Sequence, residues 1–442
     1  MPTIALRRRS TNRYFFPIPL CLILAMALAH TGFWYSSNLS AGDWPQVLGP
    51  TRNGVASADE GLAEQWPVDG PPTVWKMAVG SGYAGVAVAE IAGGKSLFLF
   101  HRIDNQEITQ SLDGTTGKER WTDSHPTTFT PQVGGRDGSG PLCVPLLHDG
   151  KVITFGAQGV LTCLDATSGK RLWQRQTHRE FAAAEGYFGA GSSPIVMGDN
   201  VIVNIGGTRK EAGIVAFSLQ GGQTVWTATA AAASYSSPVA VSLAQKQYVL
   251  MVTRFECLLL DPASGDICWQ FPFGQRGPTV NGASPVVLSG PTALRLKVLV
   301  TSSYGIGSVC ATFDQTSFEK LWEGDQSLAT QYCTPIEYNR SIYCIAGRDD
   351  LPPADLTCVE IQTGRVAWTE KNFGYGTLLR AGDKLLAVKT NGEIVLMSPT
   401  PVALKVLARW QALEGTVRAL PALADGRLYV RDESTLRCLL LK

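Results

Sequence analysis

Leu164-Asp165-Ala166-Thr167-Ser168-Gly169-Lys170-Arg171-Leu172-Trp173 is one copy of a phrase that recurs through this 442-residue chain. Close copies run from Leu112 to Trp121 and from Leu260 to Trp269, and looser ones end at Trp226, Trp322 and Trp368. With Trp75 and Trp410 these make eight tryptophans at intervals of 46, 52, 53, 43, 53, 46 and 42 residues. A period of that length means one supersecondary unit copied around a ring or along a rod.

Each phrase follows a strand-like run, such as Val160 to Leu164 or Phe255 to Leu260, and itself ends on a strand, so it reads as a hairpin. Asp and Thr or Ser side chains bond the amides of their own turn, and Gly supplies a backbone conformation that a Cβ resists. The Trp, four residues past the Gly, offers a large apolar surface once per unit. Packing between neighbouring units is the preferred reading for all eight, ahead of ligand stacking. Three further strands precede most phrases, as in Ile195 to Met197, Val201 to Ile205 and Ile214 to Phe217. Four strands in 40–50 residues describe a propeller blade.

Three-strand stretches begin near Tyr83, Pro141, Ser192, Ser236, Ala283, Tyr332, Gly374 and Thr416. No Trp strand follows the last of them, and the Trp75 strand has no stretch of its own before it. The expectation is an all-β chain, an eight-bladed β-propeller whose N-terminal strand completes the C-terminal blade and so leaves no open sheet edge. Seven blades is the fallback, because the repeat around Trp410 is degraded. The expected divisions are 1–42, a signal peptide or signal-anchor with a short linker; 43–72, an N-terminal extension; and 73–442, the propeller.

Net charge is +1, with Lys and Arg scattered singly, which argues against a nucleic-acid partner. Arg7, Arg8, Arg9 and Arg13 precede an uncharged run from Tyr14 to Gly42. Ala27-Leu28-Ala29 offers a cleavage site, while the length of the run also suits an uncleaved membrane anchor; both readings stay open, and either exports the propeller. Ten cysteines in an exported chain suggest disulfides, yet Cys163, Cys257, Cys310 and Cys358 fall on repeat positions suited to small core residues. Cys333 with Cys344 is the pair to test first for a bridge.

The repeated phrase resembles that of the pyrroloquinoline-quinone-type (PQQ-type) propellers, over roughly Trp75 to Leu441. That superfamily includes quinoprotein alcohol dehydrogenases and the non-enzymatic propeller of the bacterial outer-membrane protein assembly machine. The opening Asp43 to Val55, followed by Trp66-Pro67, resembles exported propellers of planctomycete-type bacteria. The resemblance to the dehydrogenases implies PQQ, calcium, an adjacent-cysteine ring and a catalytic Asp. This chain has no adjacent cysteines and no Cys-x-x-Cys-His, and no catalytic residue is carried over from the family.

His30, His101, His125, His148 and His178 are too dispersed for local metal spacing, and His101 and His148 read as structural. Asp349-Asp350, beside Pro352 and Pro353, reads as a solvated turn. The segments leading into the innermost strands rim one mouth of a propeller channel. They hold Tyr83, Arg136, Asp137, Tyr187, Tyr235, Asn281, Tyr332, Tyr375 and Arg418 as binding candidates for a flat ligand or peptide, against the alternative that they only fasten the loops. The functional expectation is an exported, non-catalytic protein-binding or scaffold module at the cell envelope, periplasmic or membrane-anchored, with no cofactor or metal and with a protein or peptide partner. The alternative is a small PQQ- and calcium-dependent oxidoreductase acting on alcohols or sugars.

Overall fold

A computed structural model describes residues 42–442, apart from 58, 133–135, 278, 293 and 326–327 and the side chains of 136–137 and 289–291. The leader or anchor expected up to residue 42 falls outside these residues, save Gly42. Among those described, no helix is long and apolar enough to cross a membrane.

Eight four-stranded antiparallel sheets follow one another as the blades of a propeller, with innermost strands first in sequence and Trp strands outermost. Blades I to VII span 87–126, 146–176, 195–228, 239–272, 286–324, 336–370 and 376–411; blade VIII takes its three inner strands from 422–440. Its outermost strand is Thr73–Ala78, which pairs antiparallel with Thr435–Leu440, Trp75 facing Cys438. Eight blades with this closure were expected, and the fallback of seven is set aside.

Burial follows strand order. The third strand of blade II, Val160–Asp165, is buried at every position but the last, because neighbouring blades cover both its faces. The outermost strand of blade VI, Val366–Glu370, has no fully buried residue. The turn joining the two outer strands is built as the repeat suggested. Asp165 Oδ1 accepts the Ser168 amide at 2.8 Å and its hydroxyl at 2.6 Å, and the Gly169 amide bonds the Asp165 carbonyl at 2.9 Å.

The Trp strand carries a β-bulge at a fixed place. Cys163 faces Trp173 while Leu164 faces Arg171, so Leu172 is left over and lies exposed. The same slip precedes Trp75, Trp121, Trp226, Trp269, Trp322 and Trp368. It turns each indole toward the next blade. Trp121 donates its Nε1–H to the Ala166 carbonyl at 3.0 Å, Trp173 to Leu219 at 3.0 Å, and Trp322 to Ile361 at 2.8 Å. In each case the acceptor lies three residues before the turn glycine on which the ring rests. A Cβ at Gly169 would stand 2.6 Å from Trp121, and one at Gly222 2.7 Å from Trp173. Cys163, Cys310, Cys358 and Cys438 each face a repeat Trp across the ladder, a position suited to a compact side chain. Among the described residues all nine cysteines are free; the Cys344 thiol donates to the Cys333 carbonyl at 3.7 Å, and no bridge joins that pair.

Trp410 has no such turn ahead of it, because the outermost strand of blade VIII is Thr73–Ala78 and not the second arm of a hairpin with Thr435–Leu440. Gly70, in the turn leading to Thr73, takes the place: its φ is +84° and a Cβ there would lie 2.1 Å from the Trp410 ring. The end of the N-terminal extension thus supplies the missing turn glycine, and the strand that follows it supplies the missing strand.

That extension is part of the same compact unit as the blades. Residues 44–56 form a strap across the channel. Trp44 exchanges backbone hydrogen bonds with Val88 of blade I, the Leu147 amide of blade II donates to the Pro45 carbonyl, and Ala56 and Arg380 of blade VII join the far end. Arg52, 2 % exposed, donates to the Ser193 and Pro194 carbonyls of the loop leading into blade III, each at 2.9 Å, and to Gln46 Oε1 at 3.0 Å. Burial without a facing carboxylate lowers its pKa to about 9. Arg52→Met strands two carbonyls while relieving a buried charge, so we expect a net loss of about 2 kcal/mol in urea unfolding. A loss below a few tenths would show that the strap is not fastened there.

Candidate functional site

The strap converts the channel into a blind cavity. The loops between blades and the loops between second and third strands lie on one face and form its walls, while Val47 and Leu48 of the strap form its floor. Its volume is about 280 Å³.

The wall has three tiers. Nearest the innermost strands lies an arc of hydroxyls, Ser193, Ser237, Ser284 and Thr334, each preceding a proline at the start of blades III to VI. Proline holds the preceding residue extended, which fixes these side chains at the same place in successive blades. The arc also links the blades: the Val144 amide donates to Ser193 Oγ, Ser193 to Ser237 Oγ, and Ser284 to Thr334 Oγ1, each at 3.0 Å. Above it stand the aromatic side chains of Tyr83, Phe188, Tyr235 and Tyr332. Tyr235 accepts the Phe188 amide at 3.0 Å, and the two rings meet edge to face at 5.8 Å. Burial raises the phenol pKa values of Tyr235 and Tyr332, so both stay neutral.

The third tier is charged and internally paired. Arg418, leading into blade VIII, donates Nε–H to Asp349 Oδ2 at 2.6 Å and a further N–H to the Tyr83 hydroxyl at 3.0 Å. Burial opposes its charge, but the bond to Asp349 outweighs that and the pKa lies above the usual arginine value. Asp350 is paired with Arg348, which lowers its pKa, and the Arg348 guanidinium stacks over Tyr304 at 4.4 Å. Gln331 ties the two pairs together, accepting the Asp349 amide at 2.9 Å and donating to the Tyr304 hydroxyl at 3.0 Å.

Of the sequence candidates, Tyr83, Tyr235, Tyr332 and Arg418 line the cavity. Tyr375 is buried behind the wall, its hydroxyl accepting the Tyr332 and Cys333 amides at 2.6 and 3.0 Å. Asn281, also buried, donates to the Thr253 and Arg254 carbonyls. Tyr187 lies under the Arg254 guanidinium at 5.9 Å, outside the lining. Arg136 and Asp137 open a short 3-10 turn, Arg136–Ser139, and their side chains lie outside the described part. The reading of Asp349-Asp350 as a solvated turn is corrected for Asp349 and holds in part for Asp350, whose side chain is 53 % exposed. Both line the cavity, and Asp349 is 12 % exposed. Their loop follows the second strand of blade VI and emerges on the same face as the segments between blades, so strand parity alone would have placed them there. The hydroxyl arc was also missed, although Ser-Pro or Thr-Pro repeats at each of its positions.

A family profile described as Outer membrane protein assembly factor BamB matches residues 104–370, more than half the chain. This chain belongs to the PQQ-like propeller family. Among solved structures it is similar to BamB from Moraxella catarrhalis, at 16 % identity and a TM-score of 0.58, covering 83 % of this chain and 97 % of that one. It is also similar to a quinohemoprotein alcohol dehydrogenase from Comamonas testosteroni, at 14 % identity and a TM-score of 0.66, covering 92 % and 81 %. At those identities the likeness establishes the fold alone. A 1-butanol dehydrogenase (cytochrome c) from Thauera butanivorans is 29 % identical over 129 residues, 28 % of this chain. The matched stretch spans 16 % of that relative's length.

The dehydrogenase side of the family implies PQQ, a planar tricarboxylate, with a metal ion beside it. The residues here do not fit it. Arg418 is the sole cation lining the described cavity and is already held by Asp349, so no free cation of the described lining remains to take the ligand's carboxylates. Among the described residues no three His, Cys, Asp or Glu side chains gather as metal ligands would.

Proposed function

We propose that this chain is a non-catalytic binding module of the cell envelope, whose recognition face carries the blind cavity. The observation that supports this most is the pairing of the wall's charges. Arg418 is bound to Asp349 and Asp350 to Arg348, so no charged group of the described wall is left over to polarise a reacting bond or to grip an acidic cofactor. The family's BamB members, named as assembly factors, lend the reading a precedent. The partner is a protein or peptide; the basic, apolar leader would deliver the module to the envelope, cleaved or as an anchor.

The rival reading, a small quinoprotein oxidoreductase, draws on the stretch shared with the butanol dehydrogenase. One measurement separates the two. The full chain is mixed with PQQ and calcium, passed through gel filtration and assayed for retained quinone absorbance and dye-linked alcohol oxidation. We expect neither above background. Stoichiometric retention with turnover would replace the module reading by the oxidoreductase one. Crosslinking in the native envelope is expected to recover a reproducible protein partner.

A further inference from the structure

We propose that the cavity seats a single uncharged aromatic side chain, tryptophan or tyrosine, presented by the partner protein. This rests on the binding-module reading and names the partner's anchor. Size is the first argument. About 280 Å³ lies at the small end of the range of about 300–1,000 Å³ that takes small-molecule ligands, and leaves room for one large side chain entering from the open mouth.

Charge is the second argument. Asp349 is held by Arg418 and Asp350 by Arg348, so a charged guest would shed its hydration without gaining an unpaired counterion. A neutral ring incurs no such cost. The aromatic wall of Tyr83, Phe188, Tyr235 and Tyr332 offers it edge-to-face and offset contacts, which favour aromatic over aliphatic guests.

A third, independent observation concerns the polar end of the guest. Ser193 Oγ, Ser237 Oγ and Thr334 Oγ1 accept backbone amides, which leaves each hydroxyl a proton to donate. An indole N–H or a phenol O–H entering the cavity meets acceptors and donors that phenylalanine cannot use.

The surrounding face suits a protein as carrier of that ring. Ile103 ends the second strand of blade I, and Phe255 and Leu351 stand on loops of blades IV and VI, all on the cavity side and exposed at 46, 37 and 62 %. A central pocket for an aromatic anchor, ringed by smaller apolar contacts, is the usual anatomy of an interface hot spot.

The test uses the full chain and acetylated, amidated Gly-Xaa-Gly peptides in ligand-observed NMR titrations, with Xaa tryptophan, tyrosine, leucine, lysine or aspartate. Tryptophan and tyrosine peptides are expected to bind about tenfold tighter than the other three. Val280→Phe and Leu142→Phe, which fill the cavity from two sides, should each remove that binding with the melting temperature unchanged. Charged peptides binding as well as aromatic ones would overturn the proposal, as would aromatic binding that survives both fillings. A crosslinked partner mapping to the opposite face would also overturn it while leaving the module reading in place. Recovery of no partner at all would count against the module reading instead.

Discussion

Lowering the pH from about 6.5 to about 4 is expected to cost the folded chain roughly 3 kcal/mol at each of two buried histidines. His101 is 1 % exposed, and burial, aided by the nearby Arg431 charge, lowers its pKa to about 4. Its Nδ1 accepts the Gly80 amide at 2.9 Å and therefore carries no proton, while Nε2 has no partner among the described residues. A second ring proton would set N–H against N–H. His178, also lowered to about 4 by burial, lies edge-on to Phe155 at 6.0 Å and against Gly159, where a Cβ would stand 2.2 Å from the ring.

The sign follows directly. A base whose folded pKa lies below its unfolded value binds fewer protons when folded. Stability is therefore full above pH 6.5, falls as the pH drops toward 4, and loses nothing more at these sites below that. Urea unfolding at half-unit pH steps reads the slope. His101→Gln should remove about half of the loss; an unchanged slope in that variant would refute the assignment.

The second large effect is at the blade junctions. Trp173 is 8 % exposed and bridges blades II and III, so Trp173→Ala should destabilise by about 3–5 kcal/mol. Gly222→Ala attacks the same contact from the other side. Its φ is +70°, and the added methyl would meet the indole at 2.7 Å, for a combined cost of roughly 2–4 kcal/mol. The double variant makes the test specific. With the indole gone, only the backbone part of the glycine substitution remains, so the two effects must fall short of adding. Strict additivity in chemical denaturation would show that the ring does not rest on Gly222.

Periodicity made the blades legible because a strand and its turn are local: a hairpin's residues are neighbours in sequence. Even the pairing of Thr73–Ala78 with the last blade followed from counting strands. The strap was opaque for the opposite reason. Residues 44–56 have no repeat, and their partners, Val88, Pro194 and Arg380, are set by where the ring places its inner strands. The cavity shares that difficulty. Arg418 and Asp349 meet across 69 residues, and two adjacent carboxylates in a proline-rich loop look solvated until the cation facing them is known. Asn281 and Tyr375 show the converse. They sit where candidates were sought, but the Asn281 side-chain N–H groups and the Tyr375 hydroxyl are spent on neighbouring backbone.

Gly70 and Thr73–Ala78 give the closure a consequence in time. During synthesis the first of these segments emerges some 360 residues before its mate, and a ribosome at roughly 5–20 residues per second spends tens of seconds on the interval. Through that interval the nascent coil is a horseshoe with a raw flank at either end. The clasp can snap shut only once residues 435–440 have been made, so whatever shields those flanks must act before that strand arrives.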